Sequence, residues 1–267
     1  MNVNPQIAIL SGSKDSERLA AAAVELARSQ DREAIAALGP YLGRAEFLDR
    51  LDPPEGPMTH LIAVFRALAE HPTEATGRLC EALHAEPEFV AVAARINLLL
   101  GALAAVRPLT PAAAEIFRAT SAEGFAEVNA PLLLENESVP ALQVFGEIVA
   151  GDRVEPYVKV DLVHRAVLPR RTKLPVVQIC ARLLQFELPA EVRAAIIETL
   201  YDYQSRSWFG PAMHPPKPPP WNTASTEALN LLIALAGRIL SAAPEERLRA
   251  PVQSTLEELE RIRSERR

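Results

Sequence analysis

The sequence predicts an all-α fold, and three observations point to it. Its residues are 49% apolar but only 5% aromatic, so the core must be built mainly from Ala, Leu, Val and Ile, which suits close helix-on-helix packing. Glycine is scarce, at 11 residues in 267, and neither Asn-Gly nor Asp-Gly occurs to turn a hairpin. Apolar residues recur instead at three- and four-residue spacing, segment after segment.

Taken in order, the first predicted helix is "DSERLAAAAVELARS", residues 15 to 29, with Leu19, Ala22, Ala23 and Leu26 on one stripe. "DREAIAALGPYLG" repeats the pattern through Ile35, Leu38 and Leu42 until Pro40 kinks or ends it. "LDPPEGP", residues 51 to 57, reads as a turn. "PMTHLIAVFRALAEH" and "PTEATGRLCEALHAE" read as helices opened by a first-turn proline, with a tight turn at His71 and Pro72 between them. Residues 87 to 106 are apolar almost all round and predict one helix buried on more than one side.

Thr110 and Pro111 supply a cap and a first-turn proline to the next helix, and "VPALQVFGEIVAG" ends at Gly151, a residue suited to a left-handed cap. "YVKVDLV" within residues 154 to 171 has some strand character, yet the spacing of "VDLVHRAVL" favours helix. "LPVVQICARLLQF" and "LPAEVRAAIIETLYDYQS" form another pair, and "STEALNLLIALAGRILSA" leads into a C-terminal helix over 244–264. That last helix carries a narrow stripe of Leu248, Val252, Leu256, Leu259 and Ile262, suited to one neighbour and to a capping role.

About twelve helices result, in pairs spaced on average about 42 residues apart, inside the ~40–47 range of two-helix solenoid repeats and above the 33 or 34 of ankyrin or tetratricopeptide repeats. "LPAEVRAAIIETLYDY", residues 188 to 203, resembles the second helix of a HEAT repeat through Val192, Arg193, Ala194, Ala195, Ile197 and Leu200, and residues 87 to 103 are a looser echo. The resemblance implies a right-handed α-solenoid of about six helix pairs in a single domain, 1–267, and a protein-binding scaffold. An ordinary helical bundle is the alternative. The two enzymatic branches of that family fit poorly: no His is followed by Glu, as the hydroxylases would require, and the chain is acidic where the DNA glycosylases are basic. An enzyme on such a scaffold, lyase-type or glycosylase-like, remains the rival function.

Charge and motifs narrow the classes further. Thirty-four acidic against 28 basic side chains give a net charge of −6, which argues against binding to nucleic-acid backbones. No basic leader and no ~20-residue apolar window appear, and the two cysteines lie 100 residues apart, so a membrane span is not expected and a reducing, cytoplasmic setting is. Cys80 and His84 share a helix face, but four ligands at metal spacing are not present; Cys80 and Cys180 read as core residues. Glu198 and Asp202, four apart, read as an exposed acidic face rather than a catalytic pair. No cofactor, metal or catalytic residue is expected.

Two segments stand out as interaction surfaces. Residues 153 to 173 carry Arg153, Lys159, Arg165, Arg170, Arg171 and Lys173 against Glu155 and Asp161, a local excess of positive charge that either stays solvated or docks an acidic partner or phosphate. The other is "WFGPAMHPPKPPPWN", residues 208 to 222 of a 207–222 loop inserted before the last helix pair. It holds both tryptophans and favours polyproline II. Large apolar side chains such as Trp208, Phe209 and Trp221 are seldom left to water, so the loop either packs on its own helices or binds a partner protein.

Overall fold

The computed structural model describes residues 5–52, 56–201, 220–242 and 244–266, and these are all helical with no strand among them. Two compact units result, residues 1–117 and 118–267.

The first unit holds α1 (Pro5–Gly12), α2 (Ser16–Arg28), α3 (Arg32–Ala36), α4 (Gly39–Leu42), α5 (Ala45–Leu51), α6 (Thr59–Glu70), α7 (Glu74–His84), α8 (Pro87–Val90) and α9 (Ala93–Ala105), and α10 (Pro111–Thr120) runs across its boundary. Asp15 caps α2 by accepting from the backbone N–H groups of Glu17 and Arg18, so the helix starts where the sequence places it. The predicted stripe is buried, and Ala20 and Ala27 of α2 join it, keeping neighbouring helices close. Pro40 does interrupt its helix, which splits into α3 and α4. α2, α6 and α9 pack in series, and α3 packs on α7.

Three expectations for this unit are corrected. Residues 87 to 106 form two helices, because Val92 takes an extended conformation that lets α8 tuck Phe89 against Phe65, ring centroids 5.8 Å apart. α9 is nonetheless covered on two sides, by α6 and α7. Pro57 and Pro72 lie outside the first turns of α6 and α7. The start of α7 is set by Thr73 and Thr76, which form a reciprocal capping box. α6 is capped from a distance: the buried Asp52 carboxylate accepts from the N–H groups of His60 and Leu61 at 3.0 and 2.7 Å.

The second unit holds the end of α10, then α11 (Ala126–Asn136), α12 (Val139–Ala150), α13 (Pro156–Leu162), α14 (Leu174–Leu183), α15 (Ala190–Tyr201), α16 (Thr226–Ser241) and α17 (Glu246–Glu265). α10 and α11 meet at a bend where Gly124 has φ 102°, and the buried Asn129 amide ties the bend by donating to Thr120 Oγ1 and Ser121 Oγ at 2.9 and 2.7 Å. The ambiguous segment after Glu155 is helical throughout: α13 continues into a wide π turn, Val163–Val167, and a short 3-10 turn, Leu168–Arg170. α11, α13, α15 and α17 pack each on the next, as do α12, α14 and α16, and the pairs α11 with α12 and α16 with α17 join the two series.

α17 rests on both α15 and α16 rather than on one neighbour. Thr255, which the apolar stripe omitted, is buried within it and donates to the Tyr201 carbonyl of α15 at 2.6 Å.

Gly151 is not a left-handed cap. Its φ is −77° and ψ 169°; among the described residues positive φ falls at Gln30, Gly124 and Glu137. Glycine is required there for closeness instead: its N–H donates to the Glu147 carbonyl, and a Cβ would sit 2.7 Å from that oxygen. Gly151→Ala is therefore expected to cost about 1–3 kcal/mol. Gly237→Ala, where a Cβ meets nothing within 4 Å inside α16, is expected to gain about 0.5–1 kcal/mol. Urea unfolding of the two variants checks both signs.

Candidate functional site

The basic segment is answered by carboxylates, two of which come from outside its own sequence. Arg165 Nε lies 2.7 Å from Asp161 Oδ2 one turn earlier, Arg170 Nη2 lies 3.3 Å from Glu135 Oε2, and Lys173 Nζ is paired with Glu137 Oε1. Glu135 and Glu137 belong to the end of α11, some 35 residues upstream. Such exposed pairs contribute roughly 0–1 kcal/mol each, but they lower the local field that would draw an acidic partner. Lys159 is buried and donates through Nζ to the Gly151 carbonyl.

Arg171 and Trp221, expected on a docking surface, are covered instead and face each other. Each is 5% exposed, and the Arg171 guanidinium carbon lies 3.8 Å from the indole centroid. The short 3-10 turn Trp221–Thr223 is held from several sides. Thr223 Oγ1 bonds the Pro220 carbonyl and approaches Thr172 Oγ1 at 3.4 Å, while Arg266 donates to the carbonyls of Ala224 and Asn222. Trp221 thus packs on the protein's own helices. Trp208, Phe209 and the proline run 215–220, except Pro220, lie outside the described residues.

Several described residues of types able to do chemistry are committed to packing. Cys80 and Cys180 are wholly buried, and burial pushes both thiols up to about 12. His60 Nδ1 bonds the Leu51 carbonyl at 2.7 Å beside Asp52. Glu198, expected on an exposed face, is buried, with Arg247 Nη1 3.8 Å from its Oε1; Asp202 is outside the described residues. His164 is buried under the π turn, and burial lowers its pKa to about 4 against the opposing pull of Asp161. The Thr199 hydroxyl donates to the Ala195 carbonyl at 2.7 Å, so it accepts from His164 Nδ1–H at 3.0 Å, which places a proton on Nδ1.

Two concavities of the second unit are lined by described residues. One, about 260 Å³, is lined by Arg118, Glu147, Asp152 and Arg153 among others, and its charges are mixed. Arg118 grips Glu147 with Nε at 2.6 Å and Nη2 at 3.3 Å, a two-pronged pair. The other, about 340 Å³, is a groove between α14, α15 and α16, with Ala181, Leu184, Ile197, Leu235 and Ile239 as its apolar lining. The charged residues of that lining are Arg193 and Arg238, both exposed cations. Arg193 is anchored by an Nη2 bond to the Phe186 carbonyl at 3.0 Å, and the Phe186 ring is 51% exposed beside it.

The sequence marked Arg193 only as one of the residues that resemble a HEAT repeat and did not single out Arg238. The groove draws on positions from 181 to 244, and no local spacing announces it. No helix among the described residues is long and apolar enough to cross a membrane, and none of their His, Cys, Asp or Glu side chains form a group of three placed to hold a metal. No family model, curated protein or solved structure matches this chain.

Proposed function

We propose that the chain is a non-catalytic scaffold, a HEAT-like right-handed α-solenoid in one domain that acts in the cytoplasm by binding another protein on its helix surfaces. The observation that carries this reading is the packing order of α11 to α17. Alternate helices stack on the next but one in two series, as successive helix pairs of a solenoid do. The burial of Cys80, Cys180 and His164 supports a binding role over an enzymatic one, since each of these three serves the core.

Affinity capture with the intact chain as bait tests it, with the variant R165E/R170E/K173E as comparison. A scaffold retains at least one protein in stoichiometric amount at physiological salt. Loss in the variant assigns the contact to the basic segment, and retention assigns it elsewhere on the helices. Capture of no stoichiometric partner by either bait sinks the scaffold reading.

A further inference from the structure

The scaffold reading leaves open what is bound and where, and the groove between α14, α15 and α16 addresses both. Its floor is preformed: Ala181, Ile197, Leu235 and Ile239 are each nearly buried and come from three helices, of which α14 and α16 pack directly on each other, so little order has to be imposed on binding. Its volume, about 340 Å³, is at the small end of ligand-sized pockets and suits one large anchoring side chain rather than a whole folded surface.

The rim supplies charge of a single sign. Arg193 and Arg238 are the charged residues of the lining, on α15 and α16, and the exposed Phe186 ring stands next to Gln185 of the same lining. An apolar pocket flanked by arginines and an aromatic ring has the composition of a binding hot spot. The chain as a whole carries a net charge of −6, which disfavours a second copy of itself as the occupant.

We propose that this groove docks an acidic segment of a partner protein, which seats one aliphatic or aromatic side chain between Leu184, Ile197 and Ile239 and sets its carboxylates against Arg193 and Arg238. This rests on the scaffold reading and gives it an address. The basic segment is the weaker address, because Arg165, Arg170 and Lys173 already face Asp161, Glu135 and Glu137. The guanidinium groups at the groove are positioned differently: Arg193 spends one bond on a backbone carbonyl, and no carboxylate among the described residues pairs with Arg238. A carboxylate held against two arginines gains charge-assisted, two-pronged hydrogen bonds that a lysine pair does not offer.

The experiment is selection of a phage-displayed library of 16-residue peptides on the intact chain, followed by fluorescence anisotropy of the enriched sequences made as synthetic peptides. Enriched peptides should combine Leu, Ile or Phe with Asp or Glu. Their affinity should fall about 30-fold or more in R193E/R238E, through repulsion. It should fall similarly in A242W, which fills the groove from an exposed position and keeps both arginines in the chain. Thermal unfolding of both variants checks that they remain folded.

Peptides that bind R193E/R238E and A242W as well as the parent overturn the groove and leave the scaffold reading standing. Enrichment of basic peptides, or of none, overturns the groove too, and the affinity capture above then decides the scaffold reading separately. Saturable binding of dodecanoate in place of peptides overturns it in favour of a small anionic amphiphile.

Discussion

Trp221→Ala is expected to lower the stability of the protein by about 3–5 kcal/mol, the usual cost of removing a large aromatic side chain from a packed site. The substitution opens a cavity and also strips the face from the buried Arg171 guanidinium. Trp221→Phe keeps a ring under that guanidinium and should cost less than half as much. Urea midpoints give the comparison, and a Trp208→Phe background leaves Trp221 as the single indole, so its emission reports the same transition. A loss below about 1 kcal/mol for Trp221→Ala would mean that the stack with Arg171 is not formed in solution.

Acid should expose a second weakness, at His164. The folded protein holds this imidazole neutral down to about pH 4, while the unfolded chain protonates it near the ordinary value of 6.5. Between those values the unfolded state binds the extra proton, so stability increases with pH across that window. The contribution is fully present above pH 6.5, falls as pH drops, and is gone below pH 4. Its full size is about 3 kcal/mol on a 2.5-unit difference. In His164→Gln the pH dependence of unfolding should be shallower by one proton across the same window, while carboxylate-driven changes common to both proteins cancel. Parallel stability curves for the two would show that His164 is not held neutral.

Most helices were legible because their apolar spacing and caps are local. Asp15, Thr110 and the series Leu248, Val252, Leu259 are examples. α1, α5 and α11 were not anticipated: α1 and α5 are short, and α11 carries Pro131 in its interior, a residue that argues against helix from sequence alone. Gly151 was misjudged because glycine serves close approach as well as left-handed backbone, and sequence does not distinguish the two. The surface was less legible than the helices. Arg171 and Trp221 were each singled out, but their contact joins positions 50 residues apart, and the carboxylates facing Arg170 and Lys173 come from another helix. Leu184, Arg193 and Ile239 share a groove only once α14, α15 and α16 are packed.

The two interleaved helix series of the second unit also bear on how fast it forms. Each of their contacts joins a helix to the next or the next but one in the chain, so little loop entropy is lost before packing begins. Rapid early folding in the stretch α11 to α15 is the kinetic consequence. The later events are those that span about 50 residues: Thr255 reaching the Tyr201 carbonyl and Trp221 settling on Arg171. Substitutions at those two contacts should therefore accelerate unfolding much more than they slow folding.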